Sequence, residues 1–167
     1  MKYRVAIAAV CSVVALGALV APPAQAVPNC TGNTVVGGKP LKITFKAPAS
    51  MALGRSYLAQ FGVTSRSANG VLSVAFGGLD VQKDAQGNWV PVEPHTFQQY
   101  AIALKTEVRN GKAIGSNGRP VDAVSIKVRP DLANPDSWPT PFFVQARYID
   151  SGSGQTLCVT QPFTLTR

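Results

Sequence analysis

Leu41, Ile43 and Phe45 alternate with Lys42, Thr44 and Lys46, the two-residue period of a strand with one face in a core and the other in water. The period returns in VLSVAF, where Leu72, Val74 and Phe76 share a face, and Gly77-Gly78 after it suits a bulge or a bend. It is clearest in FQQYAIALKTEVRN. There Tyr100, Ile102, Leu104 and Val108 are expected on one side and Ala101, Ala103, Lys105, Glu107 and Arg109 on the other, as in an interior strand with a polar outer face. VDAVSIKVR adds an inward row of Val124, Ile126 and Val128. FFVQARYID and LCVTQPFTLTR, joined by SGSGQ, read as a closing hairpin. Pro162 marks its second strand as an edge or bulged strand, because proline lacks the N–H a ladder needs.

The segments between these runs carry turn chemistry. DAQGNW (Asp84 to Trp89) reads as a hairpin turn, and Asn110-Gly111 and Asn117-Gly118 read as tight turns. Residues 130–141, PDLANPDSWPTP, hold four prolines and read as a rigid exposed loop. Tyr57 to Ser65 is a further β-rich run, and the one stretch suited to a helical turn is Ala49 to Tyr57. Seven or eight short strands at near-regular spacing predict an all-β chain, specifically an antiparallel immunoglobulin-like β-sandwich, with a small closed β-barrel as the alternative. The Cys, Trp, Cys spacing of antibody domains is absent. The architecture resembles small exported immunoglobulin-like domains with one disulfide, a resemblance that implies no function.

The first 26 residues change the picture of where the chain acts. Lys2 and Arg4 precede an apolar run of about 17 residues, Val5 to Ala21, which ends at Pro22-Pro23 and is followed by Ala24-Gln25-Ala26. That is the pattern of a secretory leader cut after Ala26; a spanning helix needs about 20 apolar residues. Residues 27–167 then form a single domain, secreted and not held in a membrane. Cys30 follows Val27-Pro28-Asn29 and Cys11 lies inside the apolar run, so neither fits a lipidation site. In an oxidising compartment the remaining two cysteines, Cys30 and Cys158, are expected to pair. The bond would close a loop of about 129 residues and contribute on the order of 4–5 kcal/mol if unstrained.

Charge and chemistry narrow the function classes. The chain has 16 Lys and Arg against eight Asp and Glu, and loss of Lys2 and Arg4 with the leader lowers the net charge from +8 to +6. The cations are spread, but Lys42 with Lys46, Lys105 with Arg109, and Lys127 with Arg129 are pairs that strands would place on one side, and together they are candidates for a basic sheet face. His95 is the single histidine, too few for a zinc or copper centre or a serine triad away from a nucleophile motif. No metal and no cofactor are expected. Asp131, Asn134 and Asp136 lack the spacing of a calcium loop, and no phosphate loop or aromatic-lined basic groove points to nucleic acid. Tyr57, Tyr100 and Tyr148 stand too far apart for the tyrosine pairs that bind haem in some domains of this architecture.

Large rings near turns are the remaining candidates. Trp138 in the proline-rich loop and Trp89 beside a turn, with Asp136 and Phe142, make the candidate partner-binding set, since rigid aromatics offer contact area at low entropic cost. The expectation is a secreted, non-enzymatic binding module for a protein or polysaccharide of the cell surface or medium. A secreted hydrolase or hydrolase inhibitor, and a structural envelope protein, are the alternatives.

Overall fold

The computed structural model describes residues 33–36, 39–93, 97–128 and 142–166. Among these there are thirteen strands and no helix. In chain order they are β1 (Asn33–Val36), β2 (Lys39–Lys46), β3 (Ser50–Ala52), β4 (Ser56–Val63) and β5 (Gly70–Leu79). Next come β6 (Val81–Lys83), β7 (Trp89–Pro91), β8 (Phe97–Arg109), β9 (Lys112–Ile114) and β10 (Pro120–Val121). β11 (Ala123–Lys127), β12 (Phe142–Asp150) and β13 (Thr156–Thr166) complete the set.

The smaller sheet runs β1-β2-β4-β11 and is antiparallel throughout. The larger runs β10-β9-β8-β5-β12-β13-β3, antiparallel except that β3 lies parallel to β13. β6 and β7 form a separate two-stranded hairpin. The all-β expectation therefore holds. The larger sheet, however, is mixed and curls as a half-barrel, which differs from the purely antiparallel sandwich expected. Several of the additional strands are only two or three residues long, too short to leave a readable period in sequence.

Both sheets close on one core. Leu41, Ile43 and Phe45 of β2, Ala59 and Phe61 of β4, and Val124 and Ile126 of β11 meet Leu72, Val74 and Phe76 of β5 and Val144, Ala146 and Tyr148 of β12. The Phe61 and Tyr148 rings, one from each sheet, lie 6.4 Å apart. Full burial of each large aliphatic or aromatic side chain contributes about 1.5–3 kcal/mol. Gln161 ties the sheets together at one side: its Nε2 donates to the Ala47 carbonyl (2.7 Å) and its Oε1 accepts the Ala47 N–H (3.1 Å), standing in for a ladder that the chain does not make there.

The turn chemistry acts as its residues require. Asn110 and Gly111 both have positive φ, 49° and 75°, the left-handed pair that joins β8 to β9 with the twist their hairpin needs. Asp84 Oδ1 accepts the N–H groups of Gln86 (2.9 Å) and Asn88 (2.8 Å), which shapes the turn between β6 and β7. The Asn88 N–H is the largest influence holding the Asp84 carboxyl below the usual range. β3 reaches only Thr164 to Thr166 of β13, so Pro162 faces no neighbour on that side and its missing N–H costs no ladder bond.

Two local expectations are corrected. Residues 49–57 form β3, a turn at Leu53-Gly54 and the start of β4, with no helical turn. Ile102 does not share the inward face of Leu104. β8 pairs Leu104 with Val74 but Ile102 with Ala75, leaving Ala103 as an extra residue. This bulge re-aims Ile102 outward, where it is 48% exposed.

Candidate functional site

β5 lies at the middle of the larger sheet, between β8 and β12. Its outward positions are Val71, Ser73, Ala75 and Gly77, none larger than valine, because its bulky residues Leu72, Val74 and Phe76 all face the core. Its neighbours carry long outward residues: Ile102 and Lys105 on β8, Gln145, Arg147 and Ile149 on β12. A low central row between two high ones makes a groove, of about 380 Å³, a volume within the range of small-ligand sites. Phe97 closes one end, its ring lying so close over Gly77 that a Cβ there would come within 2.7 Å of it.

The register sets the charges. Ser73 pairs with Lys105 on one side and with Arg147 on the other, so the two cations stand about 10 Å apart at their Cα atoms with a serine between them. Cys158 continues the row beyond Arg147. Four of the described carboxylates are engaged elsewhere. Glu107 pairs with Arg109 and Asp122 with Lys112, Asp84 serves its own turn, and Asp150 is buried with Tyr148 and Ser153. Neither Lys105 nor Arg147 has a carboxylate partner among the described residues. Gln145, buried in the wall, donates from Nε2 to Thr160 Oγ1 (3.0 Å). Ile102 and Ile149 stand 48% and 45% exposed beside the cations.

The candidates from sequence are dispersed. Lys42 and Lys46 on β2 and Lys127 on β11 lie on the exposed face of the smaller sheet, whose four strands contain no Asp or Glu. Lys105 and Arg109 belong to the larger sheet, and Arg129 lies outside the described residues. The six cations therefore do not make one face. The strand spacing that suggested it shows which residues share a side of one strand and says nothing of which sheet the strand joins. Phe142 is corrected: it is 8% exposed, with its ring 6.0 Å from that of Phe163, and it serves the core. Trp89 is 63% exposed, and Lys83 Nζ lies 5.3 Å from its ring centroid. Trp138, Asp136 and the loop that holds them lie outside the described residues, as do Cys30 and His95.

Arg147, Ser73 and Gln145 were not among the sequence candidates. Their signal was present in QAR, where Gln145 and Arg147 alternate with Ala146 on a strand otherwise rich in apolar residues. The small outward row of β5 was equally visible in VLSVAFG, but only the register shows that the two meet.

No family model matches the chain, and no curated protein matches it in sequence. Among solved structures the chain is similar to the sporulation control protein Spo0M from Bacillus subtilis, with a TM-score of 0.44 and 11% identity, covering 76% of this chain and 49% of that one. The chain thus spans about half the length of that protein.

Proposed function

We propose that the chain is an exported, non-enzymatic binding module that takes its ligand in the groove of the larger sheet and works at the cell surface or in the medium. The observation that carries this reading is the row Lys105, Ser73, Arg147, two cations without carboxylate partners among the described residues, across a floor of small residues. Uncompensated like charges and exposed isoleucines do not stabilise a fold, and their coincidence in a concave site is what a ligand would use. Among the described residues the groove is lined by no carboxylate or imidazole, which favours binding over acid–base chemistry.

The leader-like residues 1–26 support export. A Cys30–Cys158 disulfide fits this reading. It is supported by β1, which starts three residues after Cys30 and lies against β13, the strand of Cys158. Two sheets closed on one core likewise support an immunoglobulin-like sandwich as the architectural class.

Ser73→Trp fills the groove from its floor without touching the core face. In a thermal-unfolding screen of small anionic, neutral and cationic compounds, ligands at about 100 times their Kd are expected to raise the Tm of the native protein by roughly 5–10 °C. They are expected to leave the Tm of Ser73→Trp unmoved. Ligands that stabilise both proteins equally, or turnover of any of them, would contradict the reading.

A further inference from the structure

The groove has two kinds of surface in a fixed order. The cations sit midway along it, over Ser73, and the apolar side chains lie to either side of them. Val71 and Ile149 are paired across β5 and β12 on one side, and Ile102 is paired with Ala75 on the other. Ile102 is there because of the Ala103 bulge, a device that costs β8 two-for-one pairing and gains one exposed apolar wall. A ligand that matched only the cations would leave the isoleucines wet. A ligand that matched only the isoleucines would strip water from two cations with nothing in return.

Building on the binding role assigned to this groove, we propose that it takes a small amphiphilic anion. The apolar body would lie against Ile102, Ile149 and Val71, and the carboxylate, sulfate or phosphate would sit between Lys105 and Arg147 over Ser73. Arg147 supplies a planar fork suited to two oxygens and Lys105 a point charge from the opposite wall, while the Ser73 hydroxyl lies beneath both. The size of the site, about 380 Å³, and its closure by Phe97 over Gly77 favour a small molecule over an extended peptide running through. Among the described residues Phe97 is the one aromatic that lines it, a single ring face and not the pair that would sandwich a sugar.

Titration calorimetry with three probes of one chain length, decanoate, decanol and decyltrimethylammonium, each below its micelle concentration, tests this. Native protein is expected to bind decanoate at least about tenfold more tightly than decanol, the scale of one hydrogen bond to a charged group, and to show no binding of the cation. Raising salt from about 50 to 500 mM should weaken decanoate and not decanol. Arg147→Gln and Lys105→Gln should each bring decanoate to within about threefold of decanol, with decanol binding unchanged as evidence of an intact groove. Equal affinity of native protein for decanoate and decanol would overturn the anion assignment. So would a preference that survives both substitutions, or binding of an acidic peptide but of none of the three probes. Each of those results leaves the groove's binding role standing if Ser73→Trp still abolishes the binding observed.

Discussion

Tyr148→Ala is expected to remove a large share of the protein's stability. Tyr148 is the largest fully buried side chain among the described residues and packs on Phe61 of the opposite sheet. Truncating such a ring costs about 3–5 kcal/mol, against a total stability of roughly 5–15 kcal/mol for a domain. Its hydroxyl adds to that figure: it donates to Asp150 Oδ1 at 2.8 Å and lies 3.0 Å from the Asn69 carbonyl. Asn69 also accepts the Ser151 N–H at its carbonyl and the Asn110 N–H at its side chain. The tyrosine therefore anchors three loops at one end of the molecule. Tyr148→Phe keeps the ring and removes only the hydroxyl, for an expected loss of about 1–2 kcal/mol in urea unfolding.

The same corner sets the acid limb of stability. Burial alone pushes the Asp150 carboxyl up, but hydrogen bonds from the Ser153 and Tyr148 hydroxyls and the Ser153 and Gly152 N–H groups together outweigh it and hold it below the usual range. A carboxyl depressed in the folded state contributes stability that is present above its ordinary range and lost as pH falls through its lowered value. Urea midpoints should drop between about pH 5 and pH 2, and the drop should be smaller in Tyr148→Phe, which has lost one of the depressing bonds. Burial first, then the Asp150 bond and charge, push the Tyr148 hydroxyl well above its ordinary value. Its contribution is therefore full below about pH 10 and declines as pH rises beyond that. An acid limb unchanged by Tyr148→Phe would show that Asp150 is not coupled to this hydroxyl.

Gly70→Ala should be nearly as damaging, for a steric reason. Gly70 pairs with Asp150 across β5 and β12. A Cβ there would lie 2.0 Å from the Ile149 carbonyl oxygen and 2.7 Å from a Tyr148 ring carbon. The first obstacle is backbone, so relief requires separating two central strands, at a cost of about 3 kcal/mol or more. Gly152→Ala in the same corner is the control, because its Cβ would meet only the Asp150 carboxylate at 3.4 Å, ordinary contact distance. Its urea midpoint should fall within about 1 kcal/mol of native. Similar losses in the two variants would mean that β5 and β12 are not held as closely as described.

What the sequence showed of this fold follows from what a strand period encodes. Alternation placed Leu41, Ile43 and Phe45, Leu72, Val74 and Phe76, and Val124, Ile126 and Val128 inward, and all of these are buried, because each strand is continuous and its period unbroken. Ile102 failed where a single inserted residue shifted the phase, and no composition signal marks Ala103 as a bulge. The groove was less legible still. Its floor comes from β5, its walls from β8 and β12, and the chain separates those walls by about 40 residues. Lys105 was recognised as a surface cation, but its partner in the site is Arg147, which no local spacing links to it. Phe142 stands beside a proline-rich loop in sequence, and its burial against Phe163 is decided by the register of the closing hairpin.

Capture of an anionic amphiphile by the row Lys105, Ser73, Arg147 is open to amide chemical-shift mapping during a decanoate titration. Saturable shifts are expected at Val71 to Ala75, Ile102 to Lys105 and Gln145 to Ile149. Shifts centred instead on Lys42, Lys46 and Lys127 of the smaller sheet, or none on β5, β8 and β12, would contradict it.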